Sequence, residues 1–159
     1  MFKTKIKGGN GGGKKAADSI MSAIPSKARV VAGLPANSAP YPDGTNIILV
    51  GMTNEFGCEA KNIPARSFLG WTLRNHVEEY SKAGLKVGKA ISLRKVAWKV
   101  GLGQLGTMMQ DDIKQRIVDI KDPPNAAMTI AIKGVDNPLV DTGHLGQSIR
   151  YEVREGRDD

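Results

Sequence analysis

The sequence predicts an α+β fold: a small, mostly antiparallel sheet packed against two principal helices. Three observations carry that expectation. Short runs rich in branched apolar residues, bounded by Gly, Pro or Asn, lie at 29–34, 46–53 and 149–153. A long middle stretch has apolar residues at spacings of three and four, the period of a helix with one buried face. With 159 residues, 40% of them apolar and 25% charged, the chain is long enough to enclose a real core.

In chain order, Phe2, Thr4 and Ile6 alternate with Lys3, Lys5 and Lys7, the pattern of a half-buried strand. Five glycines between Gly8 and Gly13 predict a hinge after it. Residues 1–15 therefore read as a flexible basic Gly/Lys-rich arm, and 16–159 as a single α+β domain. Ala16, Ala17, Ile20, Met21 and Ile24 recur at helical spacing until Pro25. Arg29 to Leu34 reads as a strand closed by Pro35, and 35–44 as a loop rich in Pro, Asn, Ser, Asp and Gly. Asn46 to Thr53 (NIILVGMT) is the strongest strand candidate.

Pro64 stands just ahead of the next helix, where a missing N–H costs nothing. Leu69, Leu73, Val77 and Tyr80 form its apolar stripe, widened by Phe68 and Trp71, and Gly84 ends or kinks it. A second helical region runs from about 87 to 120, with Leu105, Met109, Ile113, Ile117 and Ile120 on one face. Gly101, Gly103 and Gly106 predict a bend there, or very close packing against another backbone. Pro123 and Pro124 stop this region, 125–132 makes short helical turns, and Asp141-Thr142 can cap a further short helix. Residues 149–153 add the last of four expected strands.

No apolar run approaches the ~20 residues of a membrane span, and no apolar segment behind Met1 to Lys5 marks a signal peptide. Cys58 stands alone, so an internal disulfide is excluded; it reads as a packing residue in a reducing compartment. The net charge of +7 is uneven. Residues 1–15 carry five lysines and no acid, 74–99 carry seven basic residues against Glu78 and Glu79, and 111–159 carry seven basic against ten acidic residues. Such asymmetry fits solvated faces with a basic tail, or a surface shared with nucleic acid or an acidic neighbour. Aromatic residues, at 5%, are too sparse for a row of base-stacking platforms.

Motifs for chemistry are weak. Gly101 to Gly106 matches G-x-G-x-x-G, but no strand precedes it and no βαβ succession follows, so no nucleotide cofactor is expected. Val140-Asp141-Thr142-Gly143 resembles the triplet of retroviral-type aspartic peptidases, in which paired Asp residues activate water. Here His144 follows the glycine, where those enzymes place Ala or Ser, and little chain remains for the rest of their fold. His76 and His144 have no partner at metal-ligand spacing, and Asp111 and Asp112 diverge by about 100° on a helix. No metal and no enzymatic activity are expected.

Two stretches carry a family resemblance. One is Asn54-Glu55-Phe56-Gly57 followed by Ile63-Pro64-Ala65-Arg66-Ser67-Phe68-Leu69; the other is Pro138-Leu139-Val140-Asp141-Thr142-Gly143-His144-Leu145 with Ser148-Ile149. In that order, over roughly residues 28 to 153, they resemble the virion-morphogenesis, tail-completion or neck proteins of tailed bacteriophages. Ser67 departs from the pattern, which more often has Pro there, as does Gly70 early in the helix. The resemblance implies a strand ending in N-E-F-G and a structural virion protein of a phage or prophage. Such a protein forms a homo-oligomeric ring at the head–tail junction and contacts other neck, connector or tail proteins. It also makes Asn54, Glu55, Phe56, Gly57, Ile63, Pro64, Ala65, Arg66, Phe68, Pro138, Leu139, Asp141, Thr142 and Gly143 the candidate motif or interface residues. Phe56, Phe68 and Leu69 are expected in the core, and Arg66, a cation at a helix start, to need a partner such as Glu55, Asp141 or a neighbouring subunit. Basic 74–99 and acidic 111–159 could meet across a subunit boundary. Lys3, Lys5, Lys7, Lys14 and Lys15 could touch a neighbour, or DNA in a channel. The alternatives are a nonspecific DNA-binding packaging accessory protein and the aspartic peptidase.

Overall fold

Two strands far apart in sequence, β1 (Ala28–Gly33) and β2 (Arg150–Glu155), pair antiparallel from Ala28↔Glu155 to Gly33↔Arg150. Between them run five helices: α1 (Ile47–Phe56), α2 (Leu69–Ser92), α3 (Trp98–Asp119), α4 (Ala127–Lys133) and α5 (His144–Ser148). The computed structural model describes residues 22, 24–25, 27–134, 137–140 and 142–155. The α+β class holds, with α3 lying across both strands and against α2. Only two of the four expected strands form among the described residues. The one predicted at 2–7, like the glycine run and most of the helix at 16–24, lies outside them.

The other missing strand is a correction. NIILVGMT forms α1. The Asn46 side-chain oxygen accepts from the Ile48 and Leu49 amides at 2.8 and 3.3 Å, capping the helix start. Ile47, Gly51 and Glu55, four residues apart, form its buried face. A cap plus a buried stripe outweighs the modest strand preference of Ile47, Ile48 and Val50. The strand that the resemblance implies before N-E-F-G is therefore a helix in this chain.

The long helices also divide differently from expectation. α2 continues unbroken past Gly84 and Gly88 and stops at Leu93. There Arg94 N–H donates to Ile91 O (2.8 Å) and Lys95 N–H to Ala90 O (2.9 Å), the paired bonds of a Schellman ending. Arg94 has φ 54°, a left-handed position usually filled by glycine. No Gly or Pro between 89 and 98 signals this break. The glycines of α3 serve close packing. A Cβ on Gly101 would stand 2.9 Å from Val87, and one on Gly106 would overlap the Tyr151 ring. The absent side chains thus let α2 and the sheet approach α3.

Beneath α1 and α3, Ile47, Phe68, Ile113, Ile117, Ile120, Leu139, Leu145 and Ile149 share one core. Of the α3 stripe, Ile113, Ile117 and Ile120 enter it, whereas Leu105 and Met109 are half-buried outside it. The α2 stripe does so only at its start: Phe68 is in the core and Leu69 packs against it, Tyr80 is buried elsewhere, and Leu73 and Val77 are 54% and 50% exposed.

Candidate functional site

The first motif builds the joint between α1 and α2. Glu55 lies in the last turn of α1, where a negative charge opposes that helix's own dipole. Its carboxylate instead reaches the start of α2. It accepts from the Phe68 and Leu69 amides at 2.8 Å each, from the Gly70 amide at 3.0 Å and from the Ser67 hydroxyl at 2.7 Å. Three of the amides that a helix start leaves unpaired are satisfied by one charged side chain. Burial raises the pKa of Glu55, but the Ser67 hydroxyl and the three amides outweigh it and hold the carboxyl below its ordinary value. Ser67, the departure from the family pattern, is used twice: its Oγ also accepts from Trp71 N–H at 3.0 Å.

Arg66 is buried too. Its Nε and Nη2 donate to the carbonyls of Pro123 and Pro124 at 2.8 and 2.7 Å, tying the joint to the chain beyond α3. Its own amide donates to Asn54 O at 2.6 Å. α2 begins three residues further on, and the charge its first amides meet is the Glu55 carboxylate. Between the two halves of the motif, Cys58 and Ile63 form a single antiparallel bridge over a short 3-10 turn, Glu59–Lys61. Gly57 permits it: φ is 79°, and a Cβ there would stand 2.9 Å from Ala65 N. Pro64 and Ala65 are exposed, and Asn54 donates through its side chain to Val50 O at 2.9 Å.

The second motif meets the first across a cleft of about 280 Å³, where Asn54 faces Pro138, Leu139, Thr142, His144 and Leu145. Leu139 is buried in the core. Gly143 (φ 76°) precedes α5, and Thr142 Oγ1 accepts from His144 N–H at a long 3.4 Å, a weak version of the predicted cap. His144 packs against Tyr41 with ring centroids 4.8 Å apart and planes tilted by 55°, and its Nε2 lies 3.2 Å from Ala39 O. Asp141, Lys3, Lys5, Lys7, Lys14 and Lys15 lie outside the described residues.

Phe56 is the clearest correction at the site. Expected in the core, it is 73% exposed. With Leu49 (60%) and Met52 (55%) it forms an apolar ridge along α1, at spacings of three and four. The ridge borders a groove of about 500 Å³ that Met52, Phe56, Leu69 and Leu73 line. Sequence reasoning missed the ridge because a strand over 46–53 puts alternate residues, not Leu49, Met52 and Phe56, on one face.

On α2, Tyr80 donates to Asp112 at 3.0 Å, and burial first, then Asp112 and Glu79, push the phenol pKa well up. Asp112 is thus engaged within the chain. His76 Nδ1 lies 3.0 Å from Glu79, and the Arg116 guanidinium sits 4.0 Å over Trp71. No group of His, Cys, Asp and Glu suited to a metal ion occurs among the described residues, and no described helix is long and apolar enough to cross a membrane. No protein-family model, curated protein or solved structure matches the chain.

Proposed function

We infer that this chain is a structural virion protein of a tailed phage or prophage, assembling as a ring at the head–tail junction. One observation carries the reading: the exposed apolar ridge Leu49–Met52–Phe56, continued across the groove by Leu73. A ridge of this kind marks a protein–protein contact. Phe56 belongs to the first motif, so the family resemblance and the exposed surface coincide at one residue. A ring needs two different complementary faces per subunit, and the ridge would supply one of them. Glu55, Gly57 and Arg66 then have a structural task, holding α1 at a fixed angle to α2 so that the ridge keeps its shape.

The test is particle mass by light scattering and electron microscopy, alone and with isolated virions or tails. Rings, or stoichiometric presence at the head–tail joint, support the reading. Phe56→Asp should then yield monomers with unchanged helical content. A parent chain that stays monomeric and is absent from virions overturns it. The DNA-binding alternative rests on charge alone and predicts tight duplex binding by the monomer, lost on deleting residues 1–15. The peptidase gains no support, since the β-rich body it requires is absent among the described residues.

A further inference from the structure

We propose that the tip of the α2–α3 hairpin is a binding surface for the phosphate backbone of duplex DNA. No acidic residue occurs between Glu79 and Asp111, while Lys82, Lys86, Lys89, Arg94, Lys95 and Lys99 fall in that interval. All six are exposed. Lys82, Lys86 and Lys89 follow one another at four and three residues, so they line one face of α2 over about 10 Å. That length spans about three base-pair steps along one strand of a duplex. Arg94 and Lys95 occupy the turn, and Lys99 opens α3.

Three features separate this tip from an ordinary solvated face. Lys86, Lys89 and Lys95 have no acidic partner among the described residues, whereas nearer the sheet Lys82 has Glu78 at 3.9 Å and His76 has Glu79. Lys99 lies in the first turn of α3, where a cation opposes the helix dipole and no acid compensates. Arg94 occupies the left-handed turn position that glycine fills at less cost. The uncompensated lysine charges are locally unfavourable, and an external polyanion would offset them together. A duplex suits the tip better than a single strand, because Trp98, the one aromatic ring there, is half-buried beneath Lys99 at 5.3 Å. Contact through lysines to phosphates reads no sequence and weakens steeply with salt.

This surface does not depend on ring formation. The experiment titrates the full chain against a fluorescent duplex of about 30 base pairs at several salt concentrations. Lys82→Gln/Lys86→Gln/Lys89→Gln should weaken binding about tenfold or more, and lower the salt slope by about two to three. Lys27→Gln/Lys61→Gln/Lys121→Gln removes the same charge from exposed positions elsewhere and should cost less than about threefold. Equal losses in the two triple variants would overturn the proposal, making the effect one of net charge. So would binding lost only on deleting residues 1–15, or stronger binding to anionic lipid vesicles than to DNA.

Discussion

The joint at Glu55 and the tip of the α2–α3 hairpin are opposite solutions to placing charge. At the joint a buried carboxylate accepts four hydrogen bonds and a buried guanidinium donates to two carbonyls. Removing either group would leave buried polar atoms unsatisfied, and that penalty exceeds what the bonds themselves contribute. At the tip, exposed cations crowd one another, and one of them sits in a strained turn. The joint is built for stability; the tip gives some up.

Substitutions can break that contrast, and the largest effect falls at the joint. Glu55→Ala strips the capping of three amides and should destabilise by about 4 kcal/mol in urea denaturation. A loss below about 1 kcal/mol would show that water replaces the carboxylate without cost. Gly57→Ala combines a left-handed backbone with a clash against Ala65 and should cost about 3 kcal/mol.

Acid should act on the joint selectively. The Glu55 pKa is lowered by folding, so its stabilisation is complete above the ordinary value of 4.5 and fades as pH falls through the lower folded value. Glu55→Gln should flatten stability against pH in that window. An unchanged profile would remove Glu55 as its source.

The tip should respond weakly and with the opposite sign. Arg94→Gly relieves the left-handed strain against glycine's greater entropy cost, and should raise stability by about 1 kcal/mol or less. Lys86→Ala should change stability by no more than about 0.5 kcal/mol. A clear loss in either would mean that the tip is held together by contacts of its own.

Much of the frame was legible in the sequence. β1, the Ile113–Ile117–Ile120 part of the α3 stripe and β2 follow from local periodicity, and the packing role of Gly101 and Gly106 was one of two alternatives that glycine in a helix allows. What was not legible depended on partners distant in sequence. NIILVGMT has strand composition, and only its cap at Asn46 and a buried face completed by Leu34, Phe68 and Leu145 make it a helix. The Arg94 turn carries no punctuating residue at all. At the site, residues of both motifs meet at one cleft, but their contacts could not be read from spacing. Spacing cannot tell that Glu55 reaches twelve to fifteen residues ahead, or that Arg66 is anchored by the Pro123 and Pro124 carbonyls. Nor could it show Phe56 facing outward, because the side of a helix that meets solvent is decided by what packs on the other side.

The pairing of β1 with β2 has a consequence for synthesis. Val30 must wait for Val153, so the sheet cannot close until almost the whole described chain has left the ribosome. Until then the flat face of α3 around Gly106 lacks the Tyr151 ring that covers it. Loop closure over that separation makes strand docking a late, non-local event. Quality control by the cell's proteases would thus fall on one moment: a chain interrupted before Arg150 presents helices without their sheet, and a finished one hides that face in a single step.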